Sequence, residues 1–133
     1  MTRKEAREEA FILIFEKELN PCTNEELIEL AKEVRDIEPD EYIYDVFCGV
    51  FKNLSEIDAV ISKYSVGWSI NRISKTALAI LRLAIYEIKF VDSIPTSVSI
   101  NEAVELSKKY STKEDASFIN GLLSSVAKEP VDA

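Results

Sequence analysis

From residue 3 onward the apolar positions of this chain recur at steps of three and four, the spacing of one helix face, with strong helix formers between them. Residues 3–19 contain a six-residue apolar run, Ala10 to Phe15, whose composition also suits a strand. Its flanks, Glu5-Ala6-Arg7-Glu8-Glu9 and Glu16-Lys17-Glu18-Leu19, carry no turn signal and favour helix, and Asn20-Pro21 ends the element. Thr23 with Glu26 three residues on predicts a capping box, followed by Leu27, Leu30, Ala31 and Val34 on one stripe, with Pro39 closing this second helix. Asp40 is a good N-cap for a third helix that turns Ile43, Phe47, Val50, Phe51 and Leu54 inward. Ser55 caps a fourth, with Ile57, Val60, Ile61 and Tyr64 on its stripe, and Gly67 breaks the pattern.

From about Ser74 to Val91 apolar residues surround the helix almost completely, which marks an element packed on several sides and predicts the central helix of the second half. After the break at Ile94-Pro95, Ile100, Ala103, Val104 and Leu106 form a sixth helix ending near Lys109-Tyr110. Ser111 and Glu114 predict a second capping box, ahead of a seventh helix carrying Phe118, Ile119, Leu122, Leu123 and Val126. Seven amphipathic helices with short connections and no alternating strand pattern predict a single all-α domain. We expect two packed sub-bundles, about 1–54 and 55–129, with 130–133 a frayed tail, Trp68 an anchor in the core or between the sub-bundles, and Gly121 the place of a close helix crossing.

Composition narrows the function. At 133 residues with 47% apolar and 30% charged positions, and only 3 Gly and 4 Pro, the chain can bury a core of its own. It has no histidine, the commonest general base and metal ligand, and its two cysteines lack CxxC spacing. Neither GxxxxGK[ST] nor GxGxxG occurs, and the acids fall on predicted solvent faces or in first helical turns. No catalytic residue, metal or cofactor is therefore expected, and the chain reads as a non-enzyme. The charged start, Met1 to Glu9, has no secretion signal, and Arg82, Glu87 and Lys89 interrupt the most apolar segment, so we expect a cytoplasmic protein with no membrane span.

A net charge of −8 argues against nucleic acid as the partner and leaves open an acidic adaptor that docks on a basic protein without touching RNA. The charge is uneven, however. Residues 1–68 hold 8 Lys/Arg against 16 Asp/Glu, whereas residues 69–133 hold 8 of each. Arg3 and Arg7 are one helical turn apart with Lys4 beside them, so three cations can project from one side of an exposed helix end towards phosphates. The other reading pairs them with Glu8 and nearby acids as ordinary surface charge. Arg82, Tyr86 and Glu87 on the nearly all-apolar helix call for structural pairing.

Four ordered motifs of the second half are more specific than periodicity: Trp68-Ser-Ile-Asn-Arg72, Ile80-Leu-Arg-Leu-Ala-Ile-Tyr-Glu87 leading to Ile94-Pro95, Ile100-Asn-Glu-Ala-Val-Glu-Leu106, and Phe118-Ile-Asn-Gly-Leu122. With the start Arg3-Lys-Glu-Ala-Arg-Glu-Glu-Ala10, they resemble the NusB family of transcription antitermination factors over nearly the whole chain. The resemblance implies a seven-helix fold of two sub-bundles that binds boxA-type single-stranded RNA as a heterodimer with NusE, a ribosomal small-subunit protein. Other Nus factors and RNA polymerase would be reached indirectly. It implies RNA contacts at Arg3, Lys4, Arg7, Arg72, Lys75, Lys113, Ser117, Phe118 and Asn120, and partner contacts at Asn101, Glu102 and Tyr86. Phe118 also suits the core and Asn120 also suits tying helix ends together, while Asn101 and Glu102 also suit capping. The chain departs from the family pattern where acids are common, at Asn71 and Ala77, and Glu5, Glu8 and Glu9 dilute the basic start.

Overall fold

The computed structural model of the chain describes residues 1–67 and 69–129, so the expectations for Trp68 and for the tail 130–133 lie outside the described residues. Seven helices make up the described fold: α1 (Arg3–Leu19), α2 (Asn24–Arg35), α3 (Glu41–Lys52), α4 (Leu54–Tyr64), α5 (Lys75–Phe90), α6 (Thr96–Tyr110) and α7 (Lys113–Ala127), with one 3-10 turn at Ile70–Arg72. Most starts are set by local chemistry. Thr2 and Glu5 form a reciprocal capping box on α1, and the Thr23, Asp40 and Ser74 side chains accept from Glu26 N–H, Ile43 N–H and Ala77 N–H at the starts of α2, α3 and α5.

Two caps differ from expectation. The fourth helix begins at Leu54 behind Asn53 rather than behind Ser55, and the Asn53 amide is spent on the α3 carbonyl of Gly49 at 2.8 Å. The N-cap of α7 is Thr112, which accepts from Asp115 N–H, while Ser111 donates to the Asp115 carboxylate. On α2 the buried stripe is Leu27, Ile28 and Ala31, because this helix packs chiefly on α1; Leu30 and Val34, expected inside, are 48% and 71% exposed.

Helix α5 packs against α1, α3, α4, α6 and α7, which is why Ala77 to Glu87 are all buried. A polar node lies inside that packing. The Glu87 carboxylate, fully buried, accepts from Arg7 Nε at 2.8 Å, from Ser99 Oγ at 2.8 Å and from the Tyr42 hydroxyl. Helices α1, α3, α5 and α6 thus meet on one charge. Burial alone would push the Arg7 guanidinium down, but the hydrogen bond and charge of Glu87, with Tyr42 and Glu102, hold it above its ordinary value. Burial, then Glu87, push the Tyr42 hydroxyl up, keeping it a donor.

A second pairing joins α1, α4 and α5: Arg82, also buried, makes two hydrogen bonds to Asp58 at 2.9 and 3.0 Å and a third to Glu18 at 3.0 Å. The structural pairing expected of Arg82 and Glu87 is what the fold contains.

Gly121, expected at a helix crossing, faces open space. The glycine that permits close packing is Gly49 on α3, where a Cβ would overlap the Tyr86 ring of α5.

At the end of α7, Glu129 accepts from Lys63 of α4 at 3.0 Å and from Lys89 of α5. Hydrogen bonds from Lys89, Tyr64 and Lys63 hold its carboxyl down at about 2. Because the folded value lies below the ordinary value of 4.5, this clasp contributes fully above about pH 4.5 and is lost as pH falls towards 2. The melting-temperature difference between wild type and Glu129→Gln is therefore expected to be small, as for surface ion pairs, and to shrink to nothing between pH 5 and pH 2.

Candidate nucleic-acid interface

The nine residues expected to meet RNA fall into three places. Arg3 opens α1, exposed, with its guanidinium 4.4 Å above the Tyr42 ring, and Lys4 beside it is exposed with its ammonium 3.5 Å from Glu102. Arg7 does not join them. Its side chain turns inward onto Glu87, leaving the residue 4% exposed, so the expected row of three surface cations is a pair. The reason is register: Arg7 shares the face of Ala6, Ala10 and Ile14 that α1 buries.

Near the other end of α1, Lys75 pairs with Glu18 at 3.1 Å. The length of helix between Arg3 and Glu18 puts these two basic regions about 22 Å apart along the α1 axis. Arg72 follows the 3-10 turn's path to the start of α7, where it lines a depression of about 170 Å³ with Ile73, Ser74, Glu114, Asp115 and Phe118. Ser74 Oγ donates to Asp115 at 3.1 Å, fastening the start of α5 to that of α7. Phe118 is half-buried, its ring packed against the core while it also lines the depression. Lys113 is the first residue of α7 and exposed. Arg3, Arg72 and Lys113 make no ion pair among the described residues, whereas Lys4, Lys75 and Lys109 each face a carboxylate.

Ser117 and Asn120, also exposed, lie on a different side of α7 and edge a groove shared with Asn101 of α6. Of the expected partner residues, only Asn101 faces this groove. Glu102, one residue on, turns towards α1 and meets Lys4 and Arg7. Tyr86 is buried, stacked on Phe90 at 5.1 Å, and donates to Asp45 at 2.8 Å, with burial and then Asp45 pushing its hydroxyl up to about 12. The three do not share a surface. Ala77, at the position of an acid common in the family, is buried.

Sequence reading passed over Tyr42, Ser99 and Lys109. Lys109 donates to Glu8 at 2.7 Å across α6 and α1, so the acids that dilute the basic start are partly spent on holding α6 in place.

The profile of the NusB family matches residues 4–128. The chain belongs to the NusB family. It is 52% identical over 130 residues to the transcription antitermination protein NusB of Acetivibrio thermocellus, an alignment covering 96% of this chain and 90% of that one. Its fold superposes on the NusB of T. maritima with a TM-score of 0.84 at 34% identity, covering 97% and 92% of the two chains. A solved structure of antitermination factors NusB and NusE in complex with double-stranded RNA matches with a TM-score of 0.86 at 29% identity, covering 95% and 96%. The relatives of this chain at 41–52% identity bear the name transcription antitermination protein NusB. Among the described residues no helix is long and apolar enough to cross a membrane.

Proposed function

We propose that this member of the NusB family works in the cytoplasm as a heterodimer with NusE and binds boxA-type single-stranded RNA during transcription, reaching other Nus factors and RNA polymerase through that complex. The observation that carries the RNA reading is the depression where exposed Arg72, which makes no ion pair among the described residues, meets the half-buried Phe118 ring, with Lys113 exposed at the start of the same helix α7. Cations grip phosphates, and a ring at the edge of a depression takes the face of an unstacked base, which a single strand offers and a duplex withholds. Arg3 and Lys4 offer basic groups at the start of α1 and Lys75 near its other end, with Ser117 and Asn120 on a neighbouring side of α7. The likeness to a NusB protein solved with NusE and double-stranded RNA supports the coarser part of this reading, a NusE partner and a role with RNA.

A gel shift comparing boxA with a scrambled RNA, with and without NusE and at two salt concentrations, tests this. A preference for boxA that NusE strengthens is expected, and equal affinity for both RNAs would count heavily against it.

One observation favours a second reading. Helix α2 exposes Leu30 and Val34 beside Glu26, Glu29 and Glu33, a surface suited to a basic protein partner with no RNA involved. Charge reversal at Arg3 and Arg72 separates the two, since it spares α2 and removes the phosphate contacts.

A further inference from the structure

Between α6 and α7 runs an open groove of about 570 Å³, floored by Ile100, Val104 and Ala116 and edged by Asn101, Asn120 and Lys108. Its electrostatics set it apart from the other described depressions. Glu114 and Asp115 line the one beside Arg72, Glu8, Glu102 and Glu105 the one beside Lys4, and Glu56 the one at the α3–α4 turn. No carboxylate lines the α6–α7 groove, and its only charged residue is Lys108, which lies 3.6 Å from Glu105, a residue of the depression beside Lys4. In a chain with a net charge of −8 this is the described depression a phosphodiester can enter without meeting like charge at the wall.

Gly121 adds an independent observation. It is exposed in the middle of α7, next to Asn120, and a Cβ there would meet nothing. Glycine weakens a helix interior, and no packing of the fold requires it at this position. What it leaves is bare backbone one residue from Asn120, which lines the groove, and open to the approach of a ligand.

We propose that the α6–α7 groove receives one unstacked base of the bound RNA strand. This rests on the RNA reading above and adds α6 to the RNA surface. The base lays one face on Ile100 and Val104, the Asn101 and Asn120 amides meet its edge, and Lys108 neutralises the adjoining phosphate. An asparagine amide offers both donors and an acceptor, so a pair of them can match the mixed edge of a base, the way single-stranded RNA is read. A basic protein segment fits worse, because the groove has no carboxylate to receive it.

The test is fluorescence anisotropy with the full chain and a labelled boxA-type RNA, alongside a set of the same RNA with each nucleotide in turn made abasic. Asn101→Ala and Asn120→Ala are each expected to weaken binding of the intact RNA about fivefold, the worth of one neutral hydrogen bond. That loss should disappear with the RNA abasic at one particular position. Val104→Trp, which fills the groove, should weaken binding tenfold or more, and if it fails to fold the exposed asparagine variants carry the test alone. Arg72→Glu with Lys113→Glu serves as the control. If the control weakens binding and the groove variants do not, the groove assignment is wrong and the RNA reading survives; if the control also has no effect, the RNA reading fails first. A loss that persists on every abasic RNA, or a Val104→Trp variant that binds RNA normally and no longer pairs with NusE, overturns the assignment.

Discussion

Glu87→Ala is expected to cost about 3–5 kcal/mol, because it leaves the Arg7 guanidinium buried with no carboxylate to compensate it. The Tyr42 and Ser99 hydroxyls lose their acceptor in the same step. For a chain of this length such a loss lowers the melting temperature by on the order of 10–20 °C. The paired replacement Arg7→Met with Glu87→Met should recover much of that loss, since apolar residues of similar volume often replace a buried ion pair at little cost, and keep only the part due to the two hydroxyls left without an acceptor. Urea unfolding of the two variants beside wild type measures this, and a Glu87→Ala protein within about 1 kcal/mol of wild type would mean the node is not closed as described. The paired variant carries a functional consequence as well: with Arg7 engaged inside the fold, its removal should leave RNA affinity within about twofold of wild type.

Gly49→Val is expected to cost about 1–3 kcal/mol, the usual range for overpacking, even though glycine is a poor helix former. The added Cβ falls on the Tyr86 ring, and that ring has little freedom to retreat: it stacks on Phe90 at 5.1 Å and its hydroxyl donates to Asp45 at 2.8 Å. Moving it gives up both contacts. Coupling is the discriminating measurement, because Gly49→Val placed in a Tyr86→Ala background should cost much less than in wild type. Additive costs would place the strain elsewhere. Substitution at Gly121, the glycine expected at a helix crossing, is expected to leave stability unchanged or to raise it slightly.

What could be read before folding follows from how local each determinant is. The caps at Thr23 and Asp40 were legible because a side chain satisfies an N–H only three residues away. The caps of α4 and α7 fell one or two residues from expectation because Asn53 and Thr112 compete with equally suitable neighbours, and the path of the preceding segment decides between them. Leu30 and Val34 belong to the helical pattern, but which flank of α2 is buried depends on where α1 lies, and no local signal contains that.

The site shows the same division. Arg72 and Phe118 sit 46 residues apart, and the packing of α5 on α7, fastened by Ser74 to Asp115, brings them together. Asn101 and Glu102 are adjacent in sequence, yet a step of about 100° around α6 sends one to the α7 groove and the other to α1. Arg7 was the readable miss: it shares a face with Ala6, Ala10 and Ile14, so its inward direction was available, and Glu87 on a nearly all-apolar helix was the charge it had to meet. The resemblance to NusB proteins pointed to a basic start, while the period of this helix gave the opposite direction to one of its three cations.

Arg3, Arg72 and Lys113, which make no ion pair among the described residues, are the cations proposed to hold the phosphate chain. The salt dependence of RNA affinity counts them. For single strands the logarithm of the binding constant falls with the logarithm of salt at about 0.7 per phosphate neutralised, so replacing all three by glutamine should flatten the slope by about 2. A triple variant that folds normally and keeps the wild-type slope would contradict the account, because the phosphates would then be held by other residues.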